Sequence, residues 1–226
     1  MKFTKRGYCV DFVLCIDATG GMARILDKVK EFAVSFMQSY VSEMEETCRT
    51  IDQLRAKVIA FRDYTYHSEP MAESEFFVLP EQNAQFTLFL AEIKADGGGD
   101  IPENALEALA LALKSNWTTE GSRRRHIILL FTDAPAAPLG TGSESALYPE
   151  GMPKDLPQLT AWWEGVDPTF TGTYQPRAGR LIAFAPNAEP WCELQTWNRY
   201  WPAFSLAGTD LPDLEIQTVV DLLVGD

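Results

Sequence analysis

The sequence has few of the residues that build zinc sites and disulfide frameworks. It contains two histidines and four cysteines, and the cysteines show no Cys-x-x-Cys spacing of the kind that holds zinc. Cys9 and Cys15 fall in or beside an apolar segment, where a cysteine behaves as a small hydrophobic residue. These absences argue against a zinc protein and a disulfide-stabilised secreted domain, and we expect a reduced, cytoplasmic protein.

Long apolar runs and positive charge are also scarce. No run of about 18 or more apolar residues occurs, and residues 1–6 lack the apolar core of a signal peptide. The formal net charge of −13 argues against nucleic acid and anionic membrane surfaces as partners. The basic cluster Arg123–His126 is too short to reverse this balance and is typical of a helix end before a strand. We therefore expect another protein as the partner.

Strand-like and helix-like segments alternate along the chain, which favours an α/β fold. The pattern predicts a doubly wound, mostly parallel sheet with helices on both faces and one antiparallel edge strand. The predicted strands are 8–16, 54–61, 75–79 (the edge strand), 127–132, 180–185 and 203–207. The predicted helices are 22–48, 83–94, 102–113, 156–163, 191–201 and 212–223.

One segment interrupts this alternation, and no linker divides the chain, so we expect a single domain over residues 1–226. Residues 134–179 are mostly irregular, and a loop of this length inside a compact domain is usually functional or mobile. We call residues 134–179 the insertion. It contains the neighbouring tryptophans Trp162 and Trp163, which we predict cannot both face one core. One of them is therefore expected on a partner-binding surface.

Two acidic residues follow two of the apolar strands. Asp17 ends the first strand and precedes Thr19 and two glycines, and Asp133 follows the strand that ends at Thr132. In an open parallel sheet, ligands bind beyond the carboxyl ends of the strands, where the winding reverses. The two acids therefore predict a small site that binds a cation or an oxyanion.

Three segments together resemble the von Willebrand factor A domain family, in its intracellular bacterial type. They are Asp17-Ala-Thr-Gly-Gly-Met22, Gly97-Gly-Gly-Asp-Ile-Pro-Glu103 and Leu130-Phe-Thr-Asp-Ala-Pro135, in the order and at the separations of that family. The resemblance spans nearly the whole chain, and it implies the α/β fold already indicated by the alternation. It also implies a metal-ion-dependent adhesion site, at which a partner's carboxylate completes the shell of a divalent cation.

Carried over residue by residue, the resemblance is incomplete. Asp17, Thr19 and Asp133 match ligand positions for Mg²⁺ or Mn²⁺, hard cations that take oxygen ligands. Gly21 and Gly99 stand where the family has hydroxyl residues. The site is therefore degenerate, because two of the family's hydroxyl ligands are missing.

The acids of the second signature segment are candidates to replace the missing ligands. Asp100 is the expected additional metal ligand, and Glu103 lies beside it, although both also have the spacing of a helix cap. Asp63 ends another strand and is expected on the same face, as a turn residue or a supporting contact. Gly21, Glu103 and Asp63, with the insertion's tryptophans, make up the expected partner-binding surface.

Three functions remain open from the sequence. The first is a non-catalytic protein-interaction module that binds its partner through a cation site. The second is a metal-free scaffold subunit in which the two glycines mark a decayed site. The third is a metal-dependent hydrolase or phosphotransferase, which is disfavoured because the chain has neither a nucleophile elbow nor a P-loop.

Overall fold

A central, mostly parallel sheet organises the protein. The computed structural model describes residues 7–97, 102–205 and 216–225. Its strands are β1 (Tyr8–Asp17), β2 (Ile51–Phe61), β3 (Met71–Glu73), β4 (Phe77–Leu79), β5 (Arg123–Phe131), β6 (Gly179–Pro186) and β7 (Tyr200–Ser205). The strand order is β3-β2-β1-β5-β6-β7, with β4 also pairing with β2. β3 and β4 run antiparallel to β2, and the other pairings are parallel. The predicted α/β fold is confirmed.

Helices cover both faces of the sheet. They are α1 (Leu26–Glu46), α2 (Asn83–Glu92), α3 (Ala105–Lys114), α4 (Leu156–Glu164) and α5 (Ile216–Gly225). One apolar cluster joins one face of the sheet to α1, α2 and α5, and a second joins the opposite face to α3 and α4. Of the described helices, none is long and apolar enough to cross a membrane.

β1 is buried along almost its whole length because it has a strand on each side and helices on each face. Its apolar residues alternate between the two clusters, with Phe12 and Leu14 on the α1 face and Val13 and Cys15 on the α3 face. This is why the segment is nearly continuous in apolar residues rather than alternating with polar ones. The winding reverses between β1 and β5, so the ends of these two strands form the crevice that the sequence predicts.

Several predicted boundaries are wrong, for local physical reasons. Residues 20–24 form a 3-10 turn before α1, and residues 71–79 form two short strands instead of one. Residues 191–201, which are all described, do not form the predicted helix. They form a 3-10 turn at Glu193–Thr196 and then enter β7. The tryptophans of this segment have helical spacing, yet Trp191 and Trp197 reach the core from an irregular segment.

The helix after the glycine-rich segment begins later than predicted. α3 starts at Ala105 and not at Pro102, and its N-cap residue is Asn104, whose side chain makes no capping hydrogen bond. Glu103 is therefore not part of a helical capping box. It instead lies in the turn that leads into α3.

A buried ion pair fixes β1 to β2. Asp11 is fully buried, and its carboxylate accepts hydrogen bonds from Arg55 Nε at 2.8 Å, Arg55 Nη2 at 2.6 Å and the Thr118 amide at 2.6 Å. The guanidinium group also lies over the Phe76 ring at 4.4 Å. This bidentate geometry supplies the charge and donors that a buried carboxylate needs.

We expect Arg55→Met to lower the free energy of unfolding by about 3–5 kcal/mol, because it leaves the Asp11 carboxylate buried without a counter-charge. Urea unfolding followed by circular dichroism measures this loss. The matched control is Lys57→Met on the same strand, whose partner Glu73 is half-exposed, and which should cost less than about 1 kcal/mol. Equal losses in the two variants would contradict the assigned importance of the Asp11–Arg55 pair.

Candidate functional site

Asp17 is the central group of the candidate site. It is fully buried at the end of β1, and its Oδ1 accepts hydrogen bonds from the Thr19 amide at 2.9 Å and the Thr19 hydroxyl at 2.7 Å. Its Oδ2 accepts from the Thr132 hydroxyl at 2.7 Å. Thr132 was not among the predicted site residues. Its position directly after β5 and before Asp133 is the signal that could have identified it.

The environment of Asp17 opposes ionisation of its carboxyl group. Burial raises the pKa of Asp17 to about 6, against the lowering effect of the bonds from Thr19 and Thr132, and the charge of Asp133 raises it further. The charge of Asp133 is thus felt at Asp17, at the ends of two neighbouring strands. A cation placed beside them would lower the pKa of both.

Asp133 lies directly against Gly21. A Cβ atom on Gly21 would be 2.8 Å from Asp133 Oδ2, so the half-exposed carboxylate occupies the space that a side chain would need. Burial raises the pKa of Asp133, while the charge of the exposed Arg24 acts in the opposite direction. The glycine at position 21 therefore reflects a close approach to this acid.

Among Asp17, Asp133 and Glu103, it is Glu103 whose pKa departs furthest from its ordinary value. Its side chain is 4% exposed, and Oε2 has no hydrogen-bond partner among the described residues. Burial raises the pKa of Glu103 to about 8, with further contributions from the charges of Asp17, Asp63 and Asp133. The charges of Asp17, Asp63 and Asp133 thus all act on Glu103, and we call these four carboxyl groups the acidic edge.

Backbone contacts hold Glu103 at the acidic edge. Its amide donates to the Pro135 carbonyl at 3.2 Å, and its carbonyl accepts from the Ala137 amide at 2.7 Å. Glu103 also forms an isolated parallel bridge with Ala136. The first residues of the insertion are thus attached to the turn that carries Glu103.

Asp63 is buried just after β2. It is 5% exposed, and its Oδ1 accepts a hydrogen bond from the Thr65 amide at 2.6 Å. The next residue, Tyr64, donates its amide hydrogen to Asn104 Oδ1 at 2.9 Å. The bond from Tyr64 connects the end of β2 to Asn104, directly before α3. The bond from Thr65 holds the Asp63 carboxylate within the turn, so Asp63 supports the acidic edge from one side.

Two of the predicted positions lie outside the described residues. Asp100, the expected additional metal ligand, and Gly99 both fall within residues 98–101.

The expectation that one of the two insertion tryptophans is exposed is wrong. Trp162 is 5% exposed and packs on Phe170 at 4.9 Å, and Trp163 is 2% exposed and stacks on Trp197 at 5.2 Å. Both belong to the core cluster under α3 and α4. Neither indole ring is therefore displayed at the surface as a partner contact.

The donor atoms at the acidic edge have the chemistry that a hard divalent cation prefers. They are the Thr19 hydroxyl and the carboxylates of Asp17, Asp133 and Glu103, all oxygen atoms. No group of three acidic, histidine or cysteine side chains is arranged to enclose a metal within the described ranges. The unpartnered Glu103 oxygen nevertheless fits Mg²⁺, which keeps several water ligands and needs only one or two carboxylates.

Comparison with known sequences gives a match over more than half of the chain. A family model described as "von Willebrand factor A domain" matches residues 11–140. The protein "Alpha-protein kinase vwkA" of Dictyostelium discoideum is 23% identical over 155 residues, which cover 69% of this chain. That match covers 23% of the relative, so the chain spans about a quarter of its length.

Comparison with solved structures supports the same fold. The pilus adhesin SpaC of Lactobacillus rhamnosus GG in its open conformation matches with a TM-score of 0.55 and 12% identity, over 99% of this chain and 30% of the adhesin. A second form of that adhesin matches with a TM-score of 0.57 and 11% identity, over 99% of this chain and 31% of the adhesin. At such low identity the likeness concerns the fold alone.

We expect Glu103→Gln to stabilise the protein at alkaline pH in the presence of EDTA. The pKa of Glu103 is raised from 4.5 to about 8 in the folded state. Between about pH 4.5 and pH 8 the folded protein therefore still holds the Glu103 proton, whereas the unfolded chain has released it. Stability from this group is therefore present at low pH and is lost as the pH rises through that window. Glutamine does not titrate, so the variant should gain roughly 2 kcal/mol over wild type at pH 8.5 and little at pH 5.

Urea unfolding at the two pH values measures the difference, with Glu31→Gln as the control. Glu31 is exposed on α1, so its variant should follow wild type at both pH values. A Glu103→Gln advantage that is the same at pH 5 and pH 8.5 would show that ionisation of Glu103 does not oppose folding.

Proposed function

The chain belongs to the von Willebrand factor A domain family, and from that premise we propose that it is a non-catalytic protein-interaction module. The partner binds at the acidic edge, and a divalent cation, Mg²⁺ or Mn²⁺, joins the two proteins there. The observation that carries the proposal is the nearly buried Glu103 carboxyl group, which has an unpartnered oxygen among the described residues and three further acids around it. A cation supplies the charge that this arrangement otherwise lacks.

In this proposal Asp17, Thr19 and Asp133 hold the cation, and Asp100 adds a ligand. Glu103 adds negative charge beside the cation, and Asp63 supports the edge through its turn. A carboxylate of the partner completes the cation's shell, since the ion's own charge dominates the local field in an otherwise acidic protein. Gly21 is exposed beside Asp133, so the partner's group approaches at this exposed side of the edge.

The insertion supplies the rim of the proposed partner surface. It begins directly after Asp133, and its Leu147 is 55% exposed. The loop after β2 adjoins the insertion through the Tyr64 and Tyr148 rings at 5.0 Å, and its Tyr66 is 60% exposed. Large apolar side chains beside a central polar site are typical of protein-binding surfaces.

The two histidines are used structurally, which supports a non-catalytic role. His126 is buried, stacks on Trp117 at 4.8 Å and has Nε2 3.2 Å from the Thr118 carbonyl. His67 packs its ring against Gly97, with Nδ1 3.3 Å from the Asp63 amide. The kinase activity in the name of the Dictyostelium relative belongs to a protein of which this chain covers 23%, and we do not propose it for this chain.

A metal-free scaffold is the second candidate, and one feature favours it. Asp133 fills the space above Gly21, where other family members have a hydroxyl ligand, and both Asp17 oxygens already accept hydrogen bonds. In such a scaffold the same edge binds the partner through hydrogen bonds and basic side chains. The two candidates differ in whether a cation binds and whether partner binding depends on it.

Calorimetric titration of EDTA-treated protein with Mg²⁺ and Mn²⁺ tests the cation. We expect saturable binding that Asp17→Ala abolishes, and an affinity that rises between pH 6 and pH 8. The reason is that the cation must displace protons from Asp17 and Glu103, whose pKa values are raised to about 6 and about 8. The proton release is measured by repeating the titration in buffers of different ionisation enthalpy.

The control for that titration is Asp27→Ala, which removes a carboxylate that is 92% exposed at the start of α1. It should bind the cation as wild type does. Binding that is unchanged in Asp17→Ala would place the cation elsewhere, and no binding by wild type would favour the metal-free scaffold.

Affinity capture on the immobilised chain tests the partner. We expect a protein that is retained in Mg²⁺, is released by EDTA, and does not bind Asp17→Ala or Asp133→Ala, because both variants lose carboxylates of the acidic edge. Titration of the purified partner against wild type, the two variants and Asp27→Ala gives the loss in affinity. A partner that binds all four proteins equally would exclude the acidic edge as the docking site.

A further inference from the structure

A cavity lies between α1, the start of β2 and the turn that leads from β4 into α2. Its volume is about 950 Å³, and its apolar wall residues are Val34, Met37, Val41, Ile51, Leu54 and Leu79. All of these except Val41 belong to the core cluster beneath α1 or pack against it. Apolar surface therefore continues from the core into an open space, and such a concave apolar surface is typical of a binding site.

Each wall of the cavity also contributes a carboxylate. Glu45 comes from α1, Asp52 from β2 and Glu81 from the turn after β4, and all three residues are exposed. None of the ion pairs among the described residues includes them. Arg49 is the one basic residue among the described wall residues, and its Nη1 is closed to solvent. The cavity therefore combines apolar surface with excess negative charge, which suits an occupant with apolar and basic side chains.

The first described residue of the chain lies against this wall. Gly7 is buried, and its amide donates to Asp52 Oδ2 at 2.8 Å. A Cβ atom on Gly7 would be 2.6 Å from the Thr50 carbonyl oxygen, which also accepts the Tyr8 amide at 2.8 Å. Thr50 and Asp52 both line the cavity. The residues that precede Gly7 are thus joined to the described chain at the edge of the cavity.

Residues 1–6 have the composition that the cavity calls for. They lie outside the described ranges, and their sequence is Met-Lys-Phe-Thr-Lys-Arg. Two of these side chains are large and apolar, and three are basic, as many as the carboxylates of the wall. Six residues reach about 20 Å when extended, which is more than the width of a compact space of about 950 Å³. Their length therefore allows them to fill it.

We propose that residues 1–6 of this chain occupy the cavity, with their apolar side chains on its apolar wall and their basic groups at its carboxylates. Burial of apolar surface supplies most of the stabilisation, because ion pairs between exposed groups contribute little. Lysine and arginine add to this burial, since their stems lie along apolar surface while their charged ends reach the carboxylates. The contact fastens the last turns of α1 to the start of β2 and the end of β4.

This contact is independent of the acidic edge. β1 and β2 run parallel from Tyr8 and Ile51, beside the cavity, to Asp17 and Phe61 at the other end of the sheet. A failure to bind a cation or a partner at the acidic edge would therefore leave the occupancy of the cavity unchanged. The two proposals fail or succeed separately.

Photo-cross-linking in the full chain tests the occupant. Phe3 is replaced by p-benzoylphenylalanine, dilute protein is irradiated, and the cross-linked peptides are mapped by mass spectrometry. We expect cross-links within one chain to the wall segments 34–45, 48–54 or 79–83. Cross-links only to other parts of the chain, or none, would overturn the proposal. A covalent dimer whose yield rises with protein concentration would overturn it as well, by making a second copy the occupant.

The same cross-linking yield tests the carboxylates of the wall. The double variant Glu45→Gln/Glu81→Gln should lower the yield several-fold at low ionic strength, because it removes two of the charges that face the basic groups. The matched control is Glu31→Gln/Glu46→Gln, which removes two exposed carboxylates of α1 that do not line the cavity. Equal yields in the two double variants would overturn the proposed role of the basic residues.

Urea unfolding without any label tests the apolar part of the contact. Phe3→Ser should lower the midpoint of unfolding, because the folded state loses a buried ring that the unfolded chain exposes in any case. Thr4→Ser is the control on the neighbouring residue and should leave the midpoint unchanged. A midpoint of Phe3→Ser equal to that of wild type would show that the ring is not buried in the cavity, and the proposal would fall.

Discussion

The position of β1 between β2 and β5 is the constraint on which the rest of the structure depends. β1 pairs in parallel with both neighbours along nearly its whole length, so a one-residue shift of its register would exchange its side chains between the two core clusters. The same pairing brings the end of β1 beside the end of β5, and this places Asp17 next to Thr132 and Asp133. The acidic edge is therefore a direct consequence of how the centre of the sheet is assembled.

The fold was largely predictable because strands buried on both faces have a strong apolar signature. The failures occurred where aromatic residues reach the core without regular structure. Trp191 and Trp197 are spaced as in a helix, but they reach the core from either side of a 3-10 turn. The burial of both Trp162 and Trp163 was missed because the insertion folds back on its own helix α4 and packs Phe170 against Trp162, a contact that no local pattern in the sequence indicates.

The site was predictable at its strand ends and less so in its loops. Asp17 and Asp133 follow from the rule that parallel strands end at one edge of a sheet. The environment of Glu103 depends on where the chain enters α3, and that entry lies two residues after the glutamate. The arginines at the start of β5 gave an ambiguous signal, because Arg124 and Arg125 are neighbours in sequence but face opposite sides of the sheet.

The attachment of the insertion to Glu103 bears on how this domain can diverge. The contacts of Glu103 with Pro135, Ala136 and Ala137 use backbone atoms, and backbone atoms are common to all residues apart from the missing amide hydrogen of proline. Substitutions further along the insertion can therefore change the surface that a partner meets without displacing the carboxyl group beneath it. Related chains could in this way acquire new binding partners while they keep the same arrangement of acids.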